Sequence, residues 1–392
     1  GIPASATAIL VIDPETDTTD TTTMTGLPDS RSKWYHGVLA PNEKIYGVPF
    51  YSDAVLVIDP EAGSTDISSM TGLDDSIGIW YGGALAPNGK IYGIPYSSDA
   101  VLIIDPEIDS VDVTSMTGLS SSGILAWYGG VLAPNGRIYG IPGNAQAVLV
   151  IDPEAGTTDV TSMAGLTGGL NKWYGGVLAP NGKIFGIPAE SDAVLVIDPV
   201  AGTTDVTSMT GLLAVRDRLG IETCAYCYFG FSGGVLASNG LIYGIPEDAD
   251  VVIVIDPNAL TVDITTLTVP STRRKFAYGA LARDGRIFGA PKGADTVLII
   301  IPEGAADRNE FTLGGCEPAC AMPADTAGYA IENPPSLGLP DLGLPDLGLP
   351  NLGGAVSVAD LGTISCAEGW SGTATASCEG ALLSPQDTLD TS

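Results

Sequence analysis

Apolar runs recur at regular intervals along this chain, and a short polar segment follows each of them. The runs read "VLVIDP" or a close variant, and six of them end on the same residue type: Asp13, Asp59, Asp105, Asp152, Asp198 and Asp256. A seventh copy has Ile301 at this position. Successive copies lie 46, 46, 47, 46, 58 and 45 residues apart. This period is typical of a four-stranded propeller blade and is too long for most helical or leucine-rich repeats.

A second motif lies between these runs and predicts a β-hairpin in each repeat. It reads "WYGGVLAPNGKIFGIP" at 173–188, with near-identical copies at 80–95 and 127–142 and looser copies that start near Trp34, Tyr228 and Phe276. Asn-Gly between two apolar segments accepts the positive φ angles of a two-residue type I′ turn. We therefore predict two strands joined by such a turn. The first copy has Asn42-Glu43 instead, so its turn should be less ideal.

The apolar run predicts a third strand, and the polar segment after it predicts a fourth. A continuous run rich in β-branched residues is typical of a strand buried on both faces, in the middle of a sheet. Asp-Pro ends it, because proline cannot donate to a strand ladder. The following "TDVTSMTG" alternates polar and apolar residues, which suits a half-solvated outer strand. Together the patterns predict an all-β fold, a β-propeller of four-stranded blades.

The number of blades depends on how the repeats are counted. The chain has six hairpins but seven outer strand pairs, and the surplus pair runs from Ala8 to about Met24. "GIP" at 1–3 matches the end of a hairpin. This count favours seven blades, with six as the alternative, and in either case it predicts an unpaired edge open to β-addition.

Composition divides the chain into three parts. We predict a propeller over 1–315 with an insertion at about 211–228, then a Cys/Pro-rich and "LGLPD"-repeat linker over 316–354, and a small Cys-containing β tail over 355–392. The Pro- and Gly-rich linker should be extended and able to carry the β-prone stretch 353–366 to the open edge of a neighbouring copy. The candidate assembly residues are Leu337, Leu339, Leu342, Leu344, Leu347, Leu349, Val356 and Val358. Donation between copies is heterologous and, if no ring closes, propagates as a filament.

The repeat also resembles known propellers. The string "WYGGVLAPNGRIYGIP" at 127–142 and the "VLVIDP" run resemble the tandem propeller repeats of large secreted proteins of algae and other protists, and more loosely those of the NHL and YVTN families. The segment "TISCAEGWSGTATASC" at 363–378 resembles one half of a sushi-like cysteine module. The resemblance implies a propeller fold but no particular activity, because propeller families range from adhesive modules to hydrolases.

Charge and cysteine content narrow the possible partners and compartment. The chain has 46 acidic and 16 basic residues, a net charge of −30, which argues against nucleic acid and anionic membranes as partners. No apolar run reaches the 18 residues that membrane insertion by a helix needs. An even number of cysteines in such a chain predicts an extracellular protein with disulfides, for which the candidates are Cys224, Cys227, Cys316, Cys320, Cys366 and Cys378. Cys224 and Cys227 form a C-x-x-C pair without a thioredoxin-like context, which favours a structural disulfide in the inserted loop.

Recurring Trp-Tyr pairs open the predicted hairpins, and a ring would bring them to one face. Sugar rings stack on exposed aromatic faces, so one hypothesis is a glycan site formed by Trp34, Trp80, Trp127 and Trp173. The alternative is that these large aromatic residues pack between blades, and the sequence favours it.

Acidic residues recur at the turns and raise the question of calcium. Oxygen ligands that converge on one turn suit this cation, and the candidates are Asp13, Glu15, Asp17, Asp20, Asp59, Asp66, Asp105 and Asp112. Aspartate also accepts hydrogen bonds from its own turn, and this interpretation is favoured. No cofactor is required by the sequence, and calcium is the one candidate.

The sequence gives little support to catalysis. Its one histidine, His36, stands where sister repeats have glycine, and we interpret it as a tolerated loop substitution. No catalytic residue is assigned, and near-identical repeats disfavour an asymmetric active site. We therefore expect a non-enzymatic, secreted structural protein whose partners are copies of itself. The alternatives are a lectin-like propeller with glycan partners and an enzyme that uses the divergent fifth repeat.

Overall fold

The computed structural model describes residues 1–75, 79–119, 125–218, 230–304, 329–332 and 363–366. The chain divides into two compact units, Gly1–Gly304 and Ala305–Ser392. The first unit is built from successive antiparallel sheets, each a meander in which neighbouring strands follow one another along the chain. This confirms the prediction of an all-β propeller with four-stranded blades.

Six sheets each contain an inner strand that begins with an aromatic residue. The inner strands are β3 Trp34–Leu39, β7 Trp80–Leu85, β11 Trp127–Leu132, β15 Trp173–Leu178, β19 Phe231–Leu236 and β23 Phe276–Leu281. The second strands are β4 Ile45–Pro49, β8 Ile91–Pro95, β12 Ile138–Pro142, β16 Ile184–Pro188, β20 Ile242–Pro246 and β24 Ile287–Pro291.

Third and outer strands complete the sheets. The third strands are β5 Leu56–Asp59, β9 Leu102–Asp105, β13 Leu149–Asp152, β17 Leu195–Asp198, β21 Ile253–Asp256 and β25 Leu298–Ile300. The outer strands are β6 Ser64–Asp66, β10 Ser110–Asp112, β14 Thr157–Asp159, β18 Thr203–Asp205 and β22 Thr261–Asp263. We number the sheets one to six from β3–β6 to β23–β25. The sixth, which we call the last sheet, has three strands within the described residues.

A separate outer pair precedes sheet one. It consists of β1 Val11–Asp13 and β2 Thr18–Asp20, and we call it the N-terminal pair. The Gly1 amino group donates to the Leu10 carbonyl, so residues 1–3 run beside β1 as a second strand would. The structure shows six blades with inner strands, and the preference for seven blades is not confirmed.

The hairpin turns differ from the predicted type. In the second repeat Gly89 N donates to Ala86 O and Ala86 N donates to Lys90 O, which makes a three-residue Pro-Asn-Gly loop. Gly89 takes a φ of 80°, whereas Asn88 has no positive φ, so the two-residue type I′ prediction is wrong. Proline at the first loop position favours a type I turn followed by one left-handed residue. In the first copy Glu43 occupies that left-handed position with a φ of 64°, where glycine is preferred.

The third strands of sheets one to five are buried as predicted, but β25 of the last sheet is partly exposed, and the outer strands are shorter than predicted. Leu195 and Ile197 of β17 are fully buried. The outer strand β18 stops at Asp205, whose carboxylate accepts hydrogen bonds from the backbone N–H groups of Thr207 and Ser208. This local bond turns the chain away from the sheet, so the rest of "TDVTSMTG" is not a strand.

The core lies between the sheets, where isoleucine side chains of one second strand fit over glycines of the next inner strand. A Cβ on Gly130 would lie 2.5 Å from Cδ1 of Ile94, and one on Gly176 would lie 2.6 Å from Cδ1 of Ile141. Ile2 fits over Gly37 in the same way. Glycine is therefore required at this repeat position, because any side chain would occupy the space of the isoleucine.

Several predicted features lie outside the described residues. In the insertion, α1 spans Leu213–Arg218, whereas Cys224 and Cys227 are outside the described part. In the second unit β26 Tyr329–Glu332 pairs with β27 Thr363–Cys366, whose last residue is one of the candidate cysteines. Cys316, Cys320, Cys378 and the candidate assembly residues of the linker and tail are also outside. Within the described residues, no helix has the length and hydrophobicity to cross a membrane.

Candidate functional site

The four tryptophans of the sugar-binding hypothesis lie inside the propeller. Trp34, Trp80, Trp127 and Trp173 are each 3% exposed or less. Each indole N–H donates to a backbone carbonyl, as Trp127 does to Ala147 at 2.9 Å. A sugar cannot stack on these rings, because they are buried. This corrects the hypothesis of a Trp-lined glycan surface and supports the alternative of packing between blades.

The tyrosines next to these tryptophans meet one another at the centre of the ring. Five inner strands have a register shift directly after their first aromatic residue, a β-bulge that redirects the next side chain, and in β23 the shift lies between Ala277 and Gly279. The resulting cluster, which we call the aromatic plug, consists of Tyr35, Phe50, Tyr81, Tyr96, Tyr128, Tyr174 and Tyr278. Tyr128 stacks on Tyr174 at 4.0 Å, and Tyr81 contacts Tyr35, Tyr128, Tyr174 and Tyr278. Side chains from five inner strands therefore fill the centre of the ring at this level.

Next to the plug, a ring of glycines brings the inner strands close together. Gly82, Gly129 and Gly175 have positive φ, and a Cβ on Gly82 would lie 3.1 Å from Cα of Gly129. At the same repeat position the first and last sheets have His36 and Tyr278, whose rings are 5.6 Å apart. These two side chains thus meet where the inner strands of the first and last sheets come together.

The sequence suggested that His36 is a loop substitution. The structure instead places it in strand β3, against the ring of Tyr278. It is half-buried there, and its Nδ1 is buried without a hydrogen-bond partner. Burial lowers the pKa of His36 from 6.5 to about 4. The imidazole is thus neutral at pH 7. Desolvation also raises the pKa of Tyr81 and Tyr278 well above 10, so neither is an anion at neutral pH.

The candidate calcium residues serve mainly as turn caps. Asp66 accepts from the backbone N–H and the hydroxyl of Ser68, and Asp112 accepts from both groups of Thr114. Hydrogen bonds from the hydroxyl of Ser69 and then from Ser68 lower the pKa of Asp66 to about 2, and those from the hydroxyl of Ser115 and then from Thr114 lower that of Asp112 to about 2. Asp13 accepts from the N–H groups of Glu15 and Thr16, and Asp20 accepts from Thr22. The described residues contain no group of three or more His, Cys, Asp or Glu side chains placed to hold a metal ion.

Two other candidate aspartates, Asp59 and Asp105, each form an ion pair with a basic residue of their own sheet. Lys44 lies 3.7 Å from Asp59, and Lys90 lies 2.9 Å from Asp105. The same pairing recurs between Arg137 and Asp152 and between Lys183 and Asp198. The repeated aspartate thus balances the cation of its own hairpin loop, and the calcium hypothesis stays a prediction.

Three buried lysines were missed by the sequence reasoning. Lys33, Lys172 and Lys275 each precede the first aromatic residue of an inner strand and are at most 5% exposed. Lys172 Nζ donates to Gly143 O at 2.7 Å and Ala145 O at 2.9 Å, both on the preceding sheet. Burial lowers the pKa of Lys172 to about 8. A groove of 460 Å³ lies beside it, lined by Thr167, Lys172, Glu190, Asp192 and Thr210 among others, but the ammonium group is already bound by the two carbonyls.

Arg286 joins the last sheet to the N-terminal pair. Its guanidinium donates to Asp17 Oδ1 at 2.8 Å and to the carbonyl of Pro14 at 2.5 Å. It also donates to Asp284 at 2.7 Å and lies over the Phe288 ring at 5.0 Å. We call this contact between the last sheet and the N-terminal pair the seam. It places the candidate calcium residue Asp17 in an ion pair with arginine.

Two substitutions in the repeat signal the seam. Ile301 replaces the aspartate that would pair with Arg286 within its own sheet, and Asp17 stands where three sister repeats have Gly63, Gly156 and Gly202. In the sequence each change stands alone as an irregularity of one repeat. The structure relates them, because Arg286 pairs with Asp17 where the ring closes.

Comparisons with known proteins show the fold alone. No protein family and no curated protein matches the sequence. Among solved structures, virginiamycin B lyase from Staphylococcus aureus is 11% identical with a TM-score of 0.52, over 69% of this chain and 82% of that one. A streptogramin B lyase is 12% identical with a TM-score of 0.51, over 69% and 80%. The extracellular domain of BT4673 from B. thetaiotaomicron is 11% identical with a TM-score of 0.50, over 71% and 36%.

These likenesses agree with a propeller and do not extend to an algal or protist family or to a sushi-like segment. The neighbours include a lyase and an extracellular domain, so they share an architecture and no single activity.

Proposed function

We propose that this chain is a non-enzymatic structural protein, a subunit of an extracellular filament or surface coat that assembles through contacts between copies of itself. The observation that carries this proposal is the incomplete ring. Within the described residues the N-terminal pair has no inner strands, and the last sheet has no outer strand. Unpaired strand edges bind further strands, so they favour association.

Apolar side chains are exposed on both sides of the incomplete position. Ile299 of β25 is 44% exposed, whereas Val57, Val150 and Val196 at the same repeat position are at most 7% exposed. Leu39 of β3, on the other side, is 61% exposed. Exposed apolar side chains next to an open edge favour a protein interface.

The filled centre of the ring supports a structural role over a catalytic one. The aromatic plug occupies the centre that an open channel would otherwise form, and the single histidine is half-buried and neutral at pH 7. The repeated aspartates are used as turn caps and ion-pair partners.

The C-terminal tail is a second candidate contributor to assembly. The β-prone stretch 353–366 includes β27, which pairs with β26 within the second unit. Donation of this stretch to another copy therefore has to replace that pairing. Deletion of the tail therefore distinguishes assembly through the tail from assembly through the strand edges of the propeller.

Electron microscopy and analytical ultracentrifugation of the purified full chain at physiological salt test the proposal. We expect filaments or extended sheets in equilibrium with monomer. Deletion of 331–392 should abolish them if the tail is the donor and leave them intact if the propeller edges suffice. A full chain that stays monomeric up to millimolar concentration would contradict the structural function.

A further inference from the structure

The contact that closes the ring consists of side chains, not of a shared sheet. The N-terminal pair and the last sheet belong to separate sheets, and neither contributes a strand to the other. Opening the ring at the seam breaks no strand ladder, and the same holds at every other interface between sheets. The other interfaces differ because a continuous apolar core joins the neighbouring sheets there.

The seam repeats a bond that joins complete sheets. Asn42 Nδ2 donates to the Pro106 carbonyl of the next sheet, and Asn135 and Asn181 donate to Pro199 and Pro257 in the same way. In the last sheet the loop residue is Asp284, which cannot donate from its side chain. Arg286 replaces it and binds the matching carbonyl, that of Pro14. The seam is thus a specific sheet-to-sheet contact of the repeat, made between the two ends of the ring.

The two sides of the N-terminal pair are held very differently. Toward sheet one, Ile9, Met24 and Leu27 pack with Trp34 and Leu56 in a buried cluster. Toward the last sheet, Leu10 and Ile12 are only half-buried, although Leu56 and Ile58 at the same positions of sheet one are at most 3% exposed. The N-terminal pair therefore stays with sheet one when the ring opens, and the seam is the side that separates.

We propose that the seam opens and re-forms between two copies of this chain, so that Arg286 and the last sheet of one copy bind Asp17, Pro14 and the N-terminal pair of the next copy in place of their own. The inference rests on the proposed function, since it names the surface by which the subunits associate. The exchange needs no new partners, because Arg286 and Asp17 pair between two copies as they do within one. The two surfaces differ, so the contact is heterologous and propagates as a filament where it does not close into a ring.

Charge reversal in full-length protein tests this inference. In Asp17→Arg, two arginines face each other across the seam, and in Arg286→Asp, two aspartates do. Each variant alone should lose self-association. In an equimolar mixture, Arg286 of the first variant can pair with Asp17 of the second, and the introduced arginine can pair with the introduced aspartate. We expect the weight-average mass of the mixture to rise at least about twofold over either variant alone, measured by sedimentation or light scattering at low salt.

Two controls keep the result interpretable. The double variant Asp17→Arg/Arg286→Asp restores complementarity within one chain and should behave as the unmodified protein. Arg137→Asp reverses the matching residue of a complete sheet, whose partner is Asp152 of the same sheet, and should leave association unchanged. Circular dichroism verifies that each variant is folded.

The outcomes separate this inference from the proposed function. A mixture no larger than its components overturns the inference, as do filaments of the unmodified chain that neither single variant weakens, although the structural function then stands. If the mixture associates while the unmodified chain forms no filament at any salt concentration, the seam is upheld as a binding surface and the filament function fails.

Discussion

The interface between sheets two and three and the seam use the same repeat positions, but only the first is fully packed. In the complete interface Ile94 fits over Gly130, and Trp127 is completely buried. At the seam the matching residue of the last sheet is Ala290, which is half-buried, and a polar contact of Arg286 makes the join. The same repeat positions thus form a buried apolar interface where a four-stranded sheet follows. Where the two-stranded N-terminal pair follows, they form a contact between polar groups.

Removal of a tryptophan from each kind of interface should show the largest difference. Trp127→Ala deletes a fully buried indole and leaves the Ala147 carbonyl without its donor, so we expect a loss of about 3–5 kcal/mol in the free energy of unfolding. Trp34→Ala removes the same group where it supports the N-terminal pair. Its main effect should be faster hydrogen exchange in β1 and β2, with a smaller loss of global stability. Equal losses in both variants, measured by urea unfolding, would show that the N-terminal pair unfolds together with the complete sheets.

A reciprocal exchange of isoleucine and alanine tests the packing directly. Ile245→Ala empties the site over Gly279 and should cost about 2–5 kcal/mol, because Ile245 is fully buried. Ala290→Ile introduces the usual repeat residue into the last sheet, where it faces the incomplete position, and should change stability by less than about 0.5 kcal/mol. A marked destabilisation by Ala290→Ile in thermal unfolding would mean that this position is already occupied.

His36 should make the incomplete side sensitive to moderate acid. Its folded pKa of about 4 is below its unfolded value of 6.5, so the unfolded chain binds more protons between these values. The stability contribution is fully present above pH 6.5 and is lost as the pH falls toward 4, by at most about 3 kcal/mol. His36→Gly, the sister residue, should flatten this part of the stability profile.

The turn aspartates titrate in a lower range and serve as an internal reference. Hydrogen bonds lower the pKa of Asp66 and Asp112 from 3.8 to about 2, so their contribution is lost only as the pH falls below about 4. A stability profile of His36→Gly that still slopes between pH 6.5 and 4 would assign the acid sensitivity to other groups.

Calcium should have the smallest effect. Because the repeated aspartates already accept hydrogen bonds from their own turns, we expect the melting temperature to change by less than about 1 °C between excess chelator and millimolar calcium, whereas binding at a hundredfold excess over Kd adds about 2.7 kcal/mol. An upward shift of several degrees, absent in Asp13→Asn or Asp20→Asn, would establish a calcium site at the N-terminal pair.

Local patterns accounted for most of the blade and for little of the ring closure. The recurring apolar run predicted the buried third strand, since continuous β-branched residues leave the chain few other stable arrangements. The turn type was wrong because proline before Asn-Gly extends the loop by one residue, and the outer strand was too long because Asp205 binds its own backbone. The glycan site, which the sequence disfavoured, is wrong because the tryptophans at the starts of the inner strands pack against the preceding sheet.

The sequence by itself determined the repeat, the strand order and the all-β propeller, because each depends on residues close together in the chain. Only the tertiary structure decided what the ends of the ring do. His36 and Tyr278 are more than two hundred residues apart, as are Asp17 and Arg286, and each pair has meaning only when the ring brings the first and last sheets together. Contacts at that separation are set by the closure of the whole fold, since no short segment contains both partners.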